Sequence, residues 1–248
     1  MARRKSLAFL DVGQGDCFVA DTKSGAIIFD GGSSSEDQVG RYRILPYMKY
    51  LGYQKIQIAV ISHMDIDHYS GIKELLEMGK IKYLGLPEIP KDETMKKIIG
   101  IAKKRGTTIF YLSRGRQITT KDGSLKVLHP QKNSQMEKNV ASLVMQGKIL
   151  GYRVLLTGDV EKEGEEELLS EELERADILK AAHHGSKNST SNEFLQKVQP
   201  KQTVISCGKQ NRYGHPHLET IHRLQTYRTK IYRTDRSGAI IFFKRRDG

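Results

Sequence analysis

The chain has 248 residues, 38% of them hydrophobic and 28% charged, which is the profile of a globular protein and excludes a disordered or fibrous one. A formal net charge of +12 and a pI near 9.5 favour polyanionic partners: nucleic acid, an anionic membrane surface or a teichoic-acid-like polymer. No apolar run approaches the ~20 residues of a membrane-spanning helix, the basic start before Leu7 does not read as a signal peptide, and Cys17 and Cys207, in no Cys-x-x-Cys pattern, exclude a disulfide framework or a zinc ribbon.

Short β-like runs open the chain at 6–10, 17–21 and 26–29, each ending in turn chemistry: Asp11-Val12-Gly13-Gln14-Gly15-Asp16, Lys23-Ser24-Gly25 and Asp30-Gly31-Gly32. A helix is expected over 38–50, closed by Gly52, then a buried strand over 56–61. A helix through Leu75 and Leu76 ends at Gly79, followed by a strand near Tyr83, a helix over 95–104 and strands near Ile109, Leu125 and Leu143. The second half alternates: strand 153–156, an acidic helix 161–173, strand 178–182, helix 191–198, strand 203–206 and helix 218–227. A hairpin turning through Arg236-Ser237-Gly238 closes the chain. Strands first and alternation later predict a sheet sandwich covered by helices, as one domain over 1–248.

Six of the eight histidines lie in three tight clusters. Ser62-His63-Met64-Asp65-Ile66-Asp67-His68 follows the buried strand directly. Buried carboxylates cost several kcal/mol unless paired or metal-bound, so this loop points to zinc, manganese or iron. His63 and Asp65 against Asp67 and His68 could serve two adjacent ions; the plain alternative is a solvated polar loop. Val154-Leu155-Leu156-Thr157-Gly158-Asp159 delivers one carboxylate at a strand end, suited to bridging two cations. Lys180-Ala181-Ala182-His183-His184-Gly185-Ser186 empties another strand into a polar loop, with one histidine for metal and one for substrate, or simply two exposed histidines at a turn. In Tyr213-Gly214-His215-Pro216-His217 the proline aims two imidazoles; either could protonate a leaving oxygen, or His217 could merely begin the next helix.

His63-x-Asp65-x-Asp67-His68, Asp159 after its strand and a later histidine resemble the metal-binding series of the metallo-β-lactamase fold. Joined to the 11–16 and 30–32 turns, His183-His184-Gly185-Ser186 and Gly214-His215-Pro216-His217, they are similar to the C-terminal hydrolase domain of the ComEC family of competence DNA-uptake channels, over about residues 6–243. The resemblance implies an α/β fold (α+β in layout), an αββα sandwich with two divalent ions, Zn²⁺ or Mn²⁺, at one edge of its sheets. It implies His63, Asp65, Asp67, His68, Asp159 and one late histidine as ligands, His183 in preference to His184, with Asp159 bridging. Many relatives carry histidine at Asp65, and a carboxylate there tilts preference towards manganese. No histidine stands at the middle-ligand position, where Asn139-Val140-Ala141-Ser142 lies; His129, in a His-Pro turn, is a poor substitute, so one ion is expected to be held loosely. Asp11, Gln14 and Asp16 are expected to support the metal loop from behind rather than ligate. Asn139, Ser142, Ser186 and Lys187 are further supporting or substrate-binding candidates.

The expected chemistry is activation of a shared water for in-line attack on phosphorus, with Asp67, His184, His215 and His217 as catalytic residues and Lys180, Lys187, Lys209 and Arg212 holding neighbouring phosphates. The leading expectation is a nuclease degrading DNA during uptake. A phosphodiesterase on phosphocholine-type or small phosphodiesters is the alternative, and a non-catalytic DNA-binding module of a channel is a third. A stand-alone chain of this kind would be cytoplasmic; a fragment of a membrane channel would sit on its extracellular face.

Overall fold

The computed structural model describes residues 3–134, 141–171 and 173–245. Strands β1 (Ser6–Phe9), β2 (Phe18–Thr22) and β3 (Gly25–Phe29) form an antiparallel meander. Next to it, β4 (Ile56–Val60), β5 (Ile81–Pro87) and β6 (Thr108–Leu112) run parallel to β3. The strands β7 (Gln117–Thr120), β8 (Gly123–His129), β9 (Val144–Ile149) and β10 (Tyr152–Leu156) are antiparallel, and β11 (Ile178–Lys180), β12 (Gln202–Ile205) and β13 (Lys230–Arg233) continue parallel to β10. With β14 (Ile240–Phe243) these make two seven-stranded sheets, ordered β14-β1-β2-β3-β4-β5-β6 and β13-β12-β11-β10-β9-β8-β7.

Side chains alternate across the strands, and both faces of the central strands are covered. Leu7, Phe9, Phe29 and Val60 face Val127, Met145, Leu156 and Val204 between the sheets. Ala8, Val19, Ile28 and Ala59 face outwards onto α1 (Leu45–Tyr50), α2 (Ile66–Glu77) and α3 (Glu93–Lys104), through Met48, Ile72, Leu75 and Ile98. On the far side Leu155, Leu179 and Ile205 meet α4 (Lys162–Leu169), α5 (Asn192–Val198) and α6 (Leu218–Thr226), through Leu168, Phe194, Leu195 and Leu224. This is the expected α-β-β-α layering, and double coverage is why the strands read as apolar runs. Each fully buried Leu, Ile or Phe contributes about 1.5–3 kcal/mol, whereas exposed pairs such as Lys96–Glu93 are screened by water and contribute little. Packing, not surface charge, therefore holds the scaffold under the site.

Three expectations are corrected. The helix over 38–50 begins only at Gly40, as a π turn (Gly40–Ile44) that passes into α1. Pro46 lacks the N–H that a continuous helix would use, and Gly40 backs onto α2, where a Cβ would stand 2.4 Å from the Gly71 carbonyl oxygen. The acidic helix stops at Leu169, where the Lys197 ammonium caps the Leu169 and Glu171 carbonyls at 2.7 and 2.9 Å. The final hairpin is a crossover: β13 edges one sheet and β14 edges the other, pairing with β1. Between them the short α7 (Thr234–Ser237) is anchored by Thr234 Oγ1, which bonds the backbone of Cys207 at 3.0 and 3.1 Å. Cys17 and Cys207 are buried and free. Among the described residues no helix is long and apolar enough to cross a membrane.

Candidate metal centre

Parallel strands present their carboxyl ends on the same side, where α/β sheets collect ligands. Here β3 and β4 of one sheet and β10, β11 and β12 of the other empty into one cleft of about 260 Å³. From β4 the chain enters His63 and then α2, with Asp65 at its N-cap and Asp67 in its first turn. His63 and His68 are buried, their rings 4.2 Å apart. Asp159 follows β10, and the segment Ala182–Gly185 after β11 carries His183 and His184.

At this cleft the imidazole Nε2 atoms of His63, His68 and His184 are buried without a hydrogen-bond partner; His129 Nε2 is too, but outside the cleft. Each ring is set from its other nitrogen. His68 Nδ1 lies 2.9 Å from Asp30 Oδ2, and a carboxylate can only accept, so a proton sits on Nδ1 and Nε2 is the nitrogen left for a cation. Asp30 Oδ1 also accepts the Ser62 N–H at 2.7 Å. His184 Nδ1 donates to the Ser206 carbonyl at 2.9 Å, and His63 Nδ1 meets Ser62 Oγ at 3.0 Å. The free nitrogens look at carboxylates: His68 Nε2 to Asp159 Oδ2 is 3.2 Å, and His184 Nε2 lies 3.3 Å from Asp67 Oδ2 and 3.4 Å from Asp159 Oδ2. His63 Nε2 stands 3.6 Å from Asp65 Oδ2. Ligand atoms around one tetrahedral ion with bonds of about 2.0 Å are spaced about 3.3 Å apart, so the residues fit a divalent cation. His63, His68 and Asp159 form one such group, Asp67, His68 and His184 another; Asp16 joins Asp159 and His184 in a third, and Asp30 and His68 in a fourth.

Without a cation the carboxylates govern these imidazoles. Burial pulls His184 down, but Asp159 and Asp16 outweigh it and push it up to about 10. His68 is driven well above its ordinary value, against burial, by Asp159 and Asp30. Asp16, which burial alone would raise, is brought down to about 2 by Lys180 and His184. His215 is pushed down to about 4 by burial and by the neighbouring His184, His183 and His217.

The other sequence candidates fall around this cluster. His183 is partly exposed at the cleft, its Nδ1 2.9 Å from Glu161 Oε1 and its Nε2 3.8 Å from Asp159 Oδ2. Thus His184, not His183, stands in the ligand groups. His215 lines the cleft, held by Asn211, which accepts its N–H at 3.0 Å. His217 caps α6 instead and accepts the Lys187 N–H on Nδ1 at 3.1 Å. Asp11 closes its own turn by accepting the Gly13 N–H at 3.1 Å, and Gln14 Oε1 accepts the Gly208 N–H at 3.0 Å. Asp16 reaches the cluster itself. Ser142 backs Asp159, its Oγ accepting the Asp159 N–H at 3.3 Å. His129 is buried, with Nδ1 on the Ser142 carbonyl at 3.0 Å, and joins no ligand group. Asn139 lies outside the described residues. Ser186 is buried in its loop, and Lys187, exposed, lines a neighbouring cavity. Lys180 is buried against Asp16 and Asp159, so it cannot hold a phosphate in the cleft. Three contributors were not singled out from sequence: Asp30, hidden in a turn motif; Glu161, two residues past Asp159; and Lys180 as an internal partner.

Comparison with known proteins places this constellation. ComE operon protein 3 of Bacillus subtilis is 37% identical, the match covering 96% of this chain and 33% of the relative. Competence protein ComA of Neisseria gonorrhoeae is 30% identical over 96% of this chain and 32% of its own length. The chain thus spans about a third of the curated relatives it matches. Among solved structures, the metallo-beta-lactamase fold protein YhfI of Bacillus subtilis matches with a TM-score of 0.63 at 13% identity, covering 97% of this chain and 100% of that one, a likeness of fold. The family model described as the metallo-beta-lactamase superfamily matches residues 10–209. This chain therefore belongs to the metallo-beta-lactamase superfamily and resembles the hydrolase domain of the ComEC competence proteins.

Proposed function

We propose that this chain is a single-domain, two-cation phosphodiester hydrolase that cuts DNA during its uptake. One observation carries the reading: the buried Nε2 atoms of His68 and His184 face Asp159, with His184 also facing Asp67 and His63 facing Asp65, at the carboxyl ends of parallel strands. His63, Asp65 and Asp159 would hold one ion, and Asp67, His68, His184 and Asp159 the other. The first set has no further histidine among the described residues, so it is the weaker, and Asp65 favours Mn²⁺ over Zn²⁺ there. Bound divalent ions supply Lewis acidity at phosphoryl oxygens and a more acidic water.

The remaining groups have separable tasks. Glu161 lies 2.9 Å from His183 Nδ1, which leaves Nε2 for the cleft, where the ring carrying both its protons would pass the one on Nε2 to the leaving oxygen. This exchanges the roles expected of His183 and His184. His215, neutral at pH 7 because its pKa is pushed down to about 4, holds a phosphoryl oxygen rather than carrying charge. Arg212, exposed and stacked over the cleft residue Tyr213 at 4.8 Å, and exposed Lys209, three residues before it, hold neighbouring phosphates of a polymer. The similarity to competence proteins and the charge of +12 support DNA as the partner. If the chain is part of a longer channel, the cleft faces DNA outside the membrane. The modest cleft of about 260 Å³ favours one second reading, hydrolysis of small phosphodiesters.

Metal-stripped protein reloaded with Mn²⁺ or Zn²⁺ and offered single-stranded DNA, double-stranded DNA and bis(p-nitrophenyl) phosphate tests this. Metal-dependent DNA cutting, abolished in Asp67→Ala and His184→Ala and slowed by orders of magnitude in His183→Ala, is the expected outcome. Turnover of the small diester alone transfers the claim to the second reading. Tight DNA binding without turnover of either leaves a binding module.

A further inference from the structure

Lys180 closes β11 with its side chain turned inwards. Its Nζ donates to the Gly158 carbonyl at 2.9 Å, contacts Asp16 Oδ2 and lies 3.5 Å from Asp159 Oδ1, an ion-pair distance rather than a hydrogen bond. The two oxygens of Asp159 therefore have different neighbours. Oδ1 faces the ammonium, while Oδ2 faces His68 Nε2 at 3.2 Å and His184 Nε2 at 3.4 Å. A carboxylate with both oxygens turned to open space can clasp a single cation with the pair; one whose first oxygen faces a fixed ammonium presents its second oxygen instead. We propose that Lys180 is a positioning residue that reserves Asp159 Oδ2 as the one oxygen shared between two cations.

The inference rests on the two-cation reading above. Charge supports it: two dications and one ammonium match the five carboxylates of Asp16, Asp30, Asp65, Asp67 and Asp159. A buried ion pair adds little or nothing to stability over an apolar pair of the same volume. The Asp16–Lys180 pair is thus not explained by folding alone, and its placement against Asp159 Oδ1 gives it a task. Phosphate binding is not that task, because Lys180 does not line the cleft.

The test is Mn²⁺ titration followed by electron paramagnetic resonance, which reports whether two bound ions share an atom through their magnetic coupling. Wild-type protein is expected to show a coupled pair at two equivalents. Lys180→Met with Asp16→Asn removes both members of the buried pair. This double variant is expected to melt near the wild type without metal, to bind the first ion, and to lose the coupled signal with a second ion held about tenfold or more weakly. Asp16→Asn alone keeps Lys180 on Asp159 and is expected to keep the coupling. A double variant with wild-type coupling overturns this inference and leaves the two-cation reading intact. Loss of coupling in Asp16→Asn alone gives the task to Asp16 and also overturns it. Wild-type protein without a coupled pair overturns both readings.

Discussion

At the scale of single residues, Asp30 shows how much depends on a side chain that touches no substrate. It sits in left-handed backbone, φ 58°, and divides its oxygens between Ser62 N–H and His68 Nδ1. Asp30→Asn keeps the shape but turns one acceptor into a donor, which disfavours the His68 tautomer that frees Nε2. Metal affinity is expected to fall about 10–100-fold, read by competition with a chromophoric chelator, while the far-UV circular dichroism stays unchanged. His184 yields a second prediction for the metal-free protein. Its folded pKa of about 10 lies above the ordinary 6.5, so its contribution to stability is full below pH 6.5 and lost as pH rises towards 10. Metal-stripped protein should therefore melt progressively lower across that interval. Saturating Mn²⁺ should abolish the decline, because an imidazole ligand is already deprotonated; a flat profile without metal would refute the assignment.

At the scale of elements, the loops from the first three strands interleave with the loop entering α2. Asp16 N–H donates to the Asp67 carbonyl at 3.0 Å and Gly31 N–H to the His68 carbonyl at 2.8 Å. Gly32 has no room for a side chain: a Cβ there would stand 2.5 Å from Ile66 O and 2.6 Å from His68 N. Gly32→Ala should cost about 1–3 kcal/mol through overpacking, seen as a lower denaturant midpoint with unchanged slope, and should weaken metal binding by displacing His68. The sequence made most of this visible. Apolar runs located the strands, and the crowded His63–His68 loop announced the centre because no apolar core would accept it. Partnering was harder to read. Adjacent His183 and His184 differ only in where the left-handed turn after β11 throws them, φ 48° and 54°. Asp30 and Lys180 act across 38 and 164 positions of chain, beyond any local spacing. The crossover into β14 was missed because a Ser-Gly turn suits a hairpin and a sheet change alike.

For the molecule as a whole, the ligands converge only in the folded chain, so a bound metal should stabilise the fold strongly. Free Mn²⁺ at a thousand times its Kd contributes about 4 kcal/mol, or roughly 8–16 °C in Tm for a chain of this size; calorimetry with and without chelator measures it. The overall charge has its own signature. If DNA is held through several Lys and Arg, raising salt from about 50 to about 200 mM should weaken its binding by as much as about 10³-fold, while kcat for a small diester stays within about twofold, since a singly charged diester needs few of those contacts. Equal salt sensitivity for both would argue against a polymer track.

The pairing of β14 with β1, like the reach of Lys180 to Asp16 and of Gly208 to Gln14, bears on biosynthesis. A ribosome releases Asp16, Asp30 and the 63–68 loop long before Lys180, His184 or the closing strand. Contacts so distant in order are the slow ones to form, and a half-made chain would carry acidic and imidazole groups with nothing to balance or enclose them. Any ion caught at that stage is held by a floppy, partial chelate and is easily surrendered. Tight metal capture is thus a late event in the life of each molecule, and a translation-arrested fragment ending before β11 should neither retain manganese nor protect its first strand from protease.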